Sequence, residues 1–395
     1  MRERTLRGFL KEPLAPYYLI LFTTFALTAI GLVMVLSASS IKSLQDFGSS
    51  YAIFLKQVLF LAIALVLAWL ATHLKVSLWH KGAKAAIILG AGLLVMPMVP
   101  SLGLTINGNR NWIAIGPFTI QPSEFAKMLL ILWCAMQLTR FQLSTAEAEN
   151  ELTPWQLVLK LAPGVLIFLA LIMVGKDLGT ALIVMAIAAA LLFVSGLPMS
   201  YFAAISAAGI VAVTGFIVTQ PNRLHRFAAV LNPFSPSVYK FAGWQPAHSV
   251  MGLASGGLFG VGLGASKQKW ANLSEAHTDF IFSVIGEELG LLGTLAVLLL
   301  YAILIYSIYR TALQSKDLFF RYACTGIASW LLIQAIVNIG SDIGLFPVVG
   351  VTLPFISYGG SSLIADFIGI GFVLNTIRRN PDLSERFSRK RKVKG

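Results

Sequence analysis

The sequence predicts an all-α integral membrane protein with about ten transmembrane helices, and three observations predict it. Hydrophobic residues make up 57% of the chain and charged residues only 12%, with a mean hydropathy of +0.78, which excludes an ordinary soluble domain. Apolar runs close to the ~20 residues that cross a bilayer recur at 16–38, 51–72, 84–100, 123–138, 156–174, 178–195, 199–219, 279–308, 321–341 and 358–376. Basic residues gather beside alternate ends of these runs, as expected of cytoplasmic connections.

The first run follows Arg2, Arg4, Arg7 and Lys11. It reads as an uncleaved anchor behind a cytoplasmic segment, 1–15, because nine further runs follow it. The next cytoplasmic connections carry Lys75, Lys81 and Lys84, then Arg140 and Lys160, then Arg310, Lys316 and Arg321. The tail, 377–395, adds Arg378, Arg379, Arg386, Arg389, Lys390, Arg391, Lys392 and Lys394. Ten spans place both termini in the cytoplasm, and the chain reads as a single polytopic membrane domain over 1–395. The net charge of +13 is then topological or lipid-facing, and no nucleic-acid partner is expected. Cys134 and Cys324 fall inside runs and read as small buried side chains, with no disulfide or metal framework.

Three segments predicted to face outward carry more information. In 101–122, Asn107-Gly108 between alternating apolar residues predicts a hairpin and a small folded cap. Gly175-Lys176-Asp177-Leu178-Gly179 predicts a tight turn between spans five and six. The third, 220–278 between spans seven and eight, is too long for a passive linker and carries Arg223, Arg226, Lys240, Lys267, Lys269, His225, His248 and His277. An anionic ligand at the outer surface is the simplest reason for that excess. The glycines of 256–264 are not spaced as a dinucleotide fingerprint; they predict an interfacial or re-entrant turn, which at that depth must pack on protein or line a wet cavity.

Asp279 stands where this polar loop meets an apolar run. Burial raises a carboxyl's pKa and nearby cations lower it, so the position suits a general base; the alternative is a helix N-cap. Glu287 and Glu288 follow about 12–13 Å deeper at helical rise, too far for a carboxylate pair, and predict an internal ion pair or polar packing. Arg110, Lys127, Lys176, Arg223 and Arg226 belong to the outer half of the chain and, if they converge, would clamp a diphosphate. Glu124 and Lys127, three apart on one helix face, could simply pair. Asp177 is either the partner of Lys176 or a ligand for a divalent cation. Leu353-Pro354-Phe355-Ile356-Ser357-Tyr358-Gly359-Gly360-Ser361-Ser362 opens the last span with small residues and free N–H groups, either an anion site or a tight packing turn. Asp342 and Asp366 read as structural.

Five ordered motifs carry a family resemblance: Asn109-Arg110-Asn111-Trp112-Ile113, Gln121-Pro122-Ser123-Glu124-Phe125-Ala126-Lys127, Gly175-Lys176-Asp177-Leu178-Gly179-Thr180, His277-Thr278-Asp279-Phe280-Ile281-Phe282, and the segment 353–362. With these the chain resembles, over about 16–376, the SEDS family (shape, elongation, division, sporulation), the membrane-embedded peptidoglycan glycosyltransferases that include FtsW and RodA. Glu275-Ala276-His277 followed by Gly286-Glu287-Glu288-Leu289-Gly290 is more similar to the FtsW branch, with Leu273-Ser274 where the family commonly has Leu-Pro.

The resemblance implies polymerisation of lipid II into glycan strands at the outer face of the bacterial cytoplasmic membrane, as septal synthesis in cell division. Asp279 would be the catalytic base, in an inverting reaction that expels undecaprenyl diphosphate. Arg110, Lys127, Lys176, Arg223, Arg226, His277 and Ser357 would bind substrate, and Glu124, Glu288, Gly359 and Gly360 would support the site. It implies a divalent cation, magnesium or manganese, with Asp177 as the candidate ligand. The expected partners are lipid II and the nascent strand, a class B penicillin-binding transpeptidase and the division machinery. The alternatives are a RodA-like elongation polymerase, a lipid II flippase and a scaffold that only recruits the transpeptidase. A flippase needs polar groups continuing through the midplane, whereas most spans here are plain Leu, Ile, Val and Ala in the middle.

Overall fold

The computed structural model describes residues 12–106, 108–116, 118–148, 153–218, 221–270 and 272–379, without the side chains of 146–148, 212, 213, 216, 217 and 221–225. Most of the expected N-terminal segment and basic tail, residue Asn107 and the Arg223 side chain therefore lie outside the described residues. Each of the ten apolar runs falls on a helix: α1 (Ala15–Phe47), α2 (Ala52–His73), α3 (Val76–Val95), α4 (Pro122–Ala148), α5 (Pro154–Val174), α6 (Leu178–Val194), α7 (Met199–Val218), α10 (Ile281–Gln314), α11 (Leu318–Asp342) and α12 (Gly360–Arg379). Two shorter helices, α8 (Pro221–Leu231) and α9 (Trp244–Ser255), break up the long connection after α7. Seven of the helices, α1, α2, α3, α5, α10, α11 and α12, are long and apolar enough to cross a membrane. α6 and the apolar part of α7 are shorter, and α4 carries Glu124, Lys127 and Arg140.

The all-α expectation needs one amendment. Residues 103–120 form a three-stranded antiparallel sheet, β1 (Gly103–Ile106), β2 (Asn109–Ile115) and β3 (Phe118–Ile120). Ile106 pairs with Asn109 across the expected turn, where Gly108 takes a positive φ of 81° that a two-residue hairpin requires.

Lipid offers helices no hydrophobic drive to associate, so close packing and internal polar bonds must hold the bundle. α12 is its buried axis and lies along α2. A Cβ on Gly371 would stand 2.5 Å from the Ala68 carbonyl oxygen, so only glycine permits this approach. Asn375 of α12 donates to the carbonyls of Ala71 (3.1 Å), Thr72 (2.9 Å) and Leu74 (2.9 Å), satisfying the last turn of α2. α1 passes equally close to the 354–356 turn, where a Cβ on Gly31 would lie 2.6 Å from the Phe355 oxygen.

α10 is kinked at Gly290, whose φ of 69° and ψ of −166° interrupt the helix. The freed backbone groups are taken by the glycine-rich loop. Val261 and Gly262 donate to the carbonyls of Glu287 (2.9 Å) and Glu288 (3.1 Å), and Leu291 donates to Gly257 (2.9 Å). Irregular backbone packed on a spanning helix is what the glycine pattern of 256–264 predicted. Below the kink, Glu287 accepts from Ser266 Oγ (2.5 Å) and Lys267 N (3.0 Å). Glu288 accepts from Ser37 Oγ (2.7 Å) and pairs with Lys269 (3.4 Å). The two glutamates are thus internal polar packing, and Lys269 belongs to an ion pair instead of a ligand site.

Candidate functional site

The backbone on both sides of Asp279 is tied down by neighbours. Thr278 N and Phe280 N both donate to the Glu275 carbonyl at 3.2 Å, which winds 275–280 into a turn. Ser357 Oγ donates to the Thr278 carbonyl (2.6 Å), Tyr358 N to His277 O (2.9 Å) and Asn338 Nδ2 to Asp279 O (2.9 Å). The open N–H groups at the start of α10 are met from another helix, because Asp342 Oδ2 accepts from Ser283 N at 3.1 Å. Asp342 therefore performs the capping that Asp279 could have done.

The Asp279 carboxylate is left over. Among the described residues it makes no hydrogen bond and no ion pair, and it lies against Gly350, where a Cβ would come within 3.6 Å of Oδ2. Its pKa is raised from 3.8 to about 7, first by burial, then by the charge of Glu275, with Lys42 acting in the opposite direction. At neutral pH a carboxyl of this kind is divided between base and acid forms, as a proton acceptor requires.

Asp279 stands in a wall shared by two cavities. The larger, about 1110 Å³, is lined by Lys176, Arg226 and Lys240 together with Phe241 and Trp244. The smaller, about 290 Å³, is lined by Lys56, Trp112, Gln121, Tyr358 and the Gly359–Ser362 start of α12. Both include Asn109, Asp177, Glu275, Asp279, Val349 and Gly350. Their volumes suit small-molecule binding. Another cavity, about 200 Å³, lies at the far ends of α10 and α12 beside Lys316, Asp317 and Arg379. Asp317 there caps Phe319 N (2.9 Å), so this cavity holds no uncommitted carboxylate.

The expected cations divide. Lys176 and Arg226 reach the larger cavity, and Arg226 is exposed, with Nη1 3.3 Å from the Val348 carbonyl. Lys176 has a positive φ of 62°, a conformation that strains a side-chain-bearing residue by roughly 1–2 kcal/mol and turns it outward beside the capped start of α6. Gly359 and Gly360 also line the smaller cavity, and a Cβ on Gly360 would meet the Phe60 ring at 2.6 Å.

Four residues expected to bind substrate line neither cavity. Lys127 is fully buried and lines neither cavity; its ammonium donates to Glu124 Oε1 (2.9 Å) and Gln334 Oε1 (2.7 Å), so the pairing with Glu124 accounts for both residues. His277 is buried beside Tyr358, and burial followed by Lys42 lowers its pKa to about 3, so the ring brings no positive charge to a phosphate at neutral pH. Ser357 is also buried and spends its hydroxyl on Thr278. Arg110 donates to the Pro97 carbonyl (2.9 Å) and lines neither of the two cavities.

Asp177 is not paired with Lys176. It accepts from Asn111 Nδ2 (2.7 Å), Gln121 Nε2 (3.1 Å), Thr180 N (3.0 Å) and Thr180 Oγ1 (2.8 Å). Among the described residues no group of three His, Cys, Asp or Glu side chains is placed to hold a metal. The residues present therefore do not fit a metal site built by the protein alone.

Sequence reasoning left Lys42, Lys56, Gln121 and Asn338 out of the site. Lys42 and Lys56 carried a usable signal: both are positive charges at the predicted outward ends of spans one and two, against the inside-positive bias.

The family described as cell cycle proteins, whose model is named for FtsW, RodA and SpoVE, matches residues 17–381. Stage V sporulation protein E of Bacillus subtilis is 35% identical over 92% of this chain and 97% of its own. The probable peptidoglycan glycosyltransferase FtsW of Coxiella burnetii is 38% identical over 90% and 94%. The FtsW of Mycobacterium tuberculosis, also named a probable peptidoglycan glycosyltransferase, is 37% identical over 96% and 71%. Among solved structures, a chain of a peptidoglycan synthase complex that coordinates polymerization and crosslinking matches with a TM-score of 0.73 and 29% identity, over 92% of this chain and 97% of that one. Thermus thermophilus RodA matches with a TM-score of 0.67 and 30% identity, over 92% and 96%. The chain belongs to the FtsW, RodA and SpoVE family of cell cycle proteins.

Proposed function

We propose that the protein is a peptidoglycan glycosyltransferase that polymerises lipid II, with Asp279 as its general base. The single observation that carries the proposal is an unpartnered carboxylate, its pKa near 7, in the wall between a cation-lined cavity and a second, smaller one. The names and likeness of the relatives supply the reaction.

In this reading the donor's diphosphate lies in the larger cavity against Lys176, Arg226 and Lys240, and the acceptor sugar lies in the smaller one beside Trp112 and Tyr358. Asp279 takes the proton of the acceptor's 4-hydroxyl as that oxygen attacks the donor's anomeric carbon from the face opposite the diphosphate. The carbon–oxygen bond to the diphosphate breaks with inversion, and undecaprenyl diphosphate leaves with the electron pair. One carboxylate suffices, because the leaving group needs no strong acid, unlike the sugar alcohols expelled in ordinary glycoside hydrolysis. Charge that develops on the diphosphate is stabilised by the fixed cations. No step here depends on a metal ion.

The membrane arrangement follows from the same reading: ten spans, both termini in the cytoplasm, and the Asp279 cavities facing outward at the division septum. Among the described residues the serines that line the cavities, Ser274, Ser361 and Ser362, bond to Gln245, Gln121 and Thr352 and none is paired with a Lys or His base, so a class B penicillin-binding transpeptidase and the other division proteins are the natural partners. The flippase reading is weaker, because the buried Lys127 ammonium is held by Glu124 and Gln334 and the middles of most spans are plain apolar residues. The test is lipid II polymerisation by the purified protein with its transpeptidase. Glycan strands from the wild type and none from an equally folded Asp279→Ala variant support the proposal; equal strands from both overturn it.

A further inference from the structure

We propose that Glu275 and Lys42 are positioning residues for Asp279: a pair of opposite charge that holds the Thr278–Asp279 turn and sets the balance of its two protonation states. The proposal rests on the reading of Asp279 as the base, and it goes further by naming what tunes that base.

The geometry runs in one connected line. Lys42, near the end of α1, has its ammonium 3.6 Å from Glu275 Oε1 and 3.2 Å from the Ser274 carbonyl. The other Glu275 oxygen, Oε2, accepts from Thr278 Oγ1 at 3.0 Å, and the Glu275 carbonyl accepts from Thr278 N and Phe280 N. Asp279 lies between those last two residues. Glu275 lines both cavities alongside it. Thus a cation on α1 grips the carboxylate that grips the turn that carries the base.

As a stabilising contact the pair is minor: both side chains are more than a third exposed, and exposed pairs contribute little to stability. Its consequence is electrostatic. Glu275 disfavours ionisation of Asp279 and Lys42 favours it, so the two hold the base from opposite sides. The other charged groups around Asp279 are committed elsewhere or stand across the cavities. Asp342 of α11 caps α10. His277 is neutral at physiological pH. Asp177 is filled by Asn111, Gln121 and Thr180. Lys56, Lys176, Arg226 and Lys240 line the cavity walls.

The experiment is an infrared titration of the Asp279 carboxyl in the purified, membrane-reconstituted full chain. Its band is identified as the one lost in Asp279→Asn. Glu275→Gln keeps an oxygen for Thr278 but removes the charge, so the midpoint falls below the wild-type value; Lys42→Met raises it, and Lys42→Arg leaves it in place. Glu275→Ala also loses the side-chain contact to Thr278, and its polymerisation kcat falls below that of Glu275→Gln at every pH. Midpoints that coincide in wild type, Glu275→Gln and Lys42→Met overturn the proposal. The titration is independent of turnover. If the band shifts as expected while the pH dependence of polymerisation stays fixed, the positioning pair stands and the assignment of Asp279 as base fails.

Discussion

Replacing Asp279 with Asn is expected to abolish polymerisation and, at alkaline pH, to stabilise the protein. A carboxyl whose folded pKa exceeds its unfolded value favours the folded state when protonated. That contribution is complete below about pH 4 and is lost as the pH rises through about 7. The shift from 3.8 to about 7 is about 3 units, and at about 1.36 kcal/mol per unit the ionised carboxylate destabilises the fold by at most about 4 kcal/mol. Asp279 opens onto two cavities, and solvent screening there leaves an expected net effect of about 2 kcal/mol. Asparagine keeps the shape without the charge. Thermal unfolding in detergent should therefore give the variant a Tm a few degrees above wild type at pH 8 and an equal Tm at pH 4. A variant less stable than wild type at both values would refute the reasoning, since it would give the carboxylate a structural bond that the account denies.

Removing cavity cations should separate substrate contact from folding: Arg226→Ala and Lys176→Ala each lose about ten- to a hundredfold in kcat/KM, equivalent to about 1.5–3 kcal/mol for a charge-assisted bond, with Tm unchanged. Lys127→Ala should instead unfold at lower temperature, since it strands Glu124 in the core at a cost of about 3–5 kcal/mol; an unchanged Tm with weakened substrate binding would return Lys127 to the site. Glu288→Gln should cost a similar amount by stranding Lys269, and Glu288→Met with Lys269→Met should recover most of it in the same unfolding assay. Gly290→Ala should fail to yield folded protein on size-exclusion chromatography, because the added Cβ would sit 2.3 Å from Gly260 N and the backbone is left-handed there.

Much of the fold is legible in the residues, and the reason is periodicity and length. Every apolar run long enough to span falls on a helix, and Asn107-Gly108 announces the turn of its hairpin. The Glu124–Lys127 pair follows from helical spacing alone. What sequence could not reveal is which side of a turn a residue faces. His277 precedes Asp279 by two positions and looks like a neighbour in the site, yet the turn buries it beside Tyr358. Ser357 looks like an anion contact and instead fastens the Thr278 carbonyl. The decisive detail is contributed by Asp342, 63 residues away in sequence, which caps α10 and leaves Asp279 free. Such long-range substitution of one acid for another has no local signal. The kink at Gly290 is similarly hidden, since Glu287-Glu288-Leu289-Gly290 reads as uninterrupted helix until the loop of 256–264 is seen to fill the gap.

The most direct test of the central claim is the rate of lipid II polymerisation measured across pH 5–9 with the full chain and its transpeptidase. The account predicts a rate that climbs with pH to a plateau, with a midpoint near 7, and no polymer from Asp279→Asn at any pH. A rate that is flat across the range, or polymer formed by the Asn variant, would contradict Asp279 as the base.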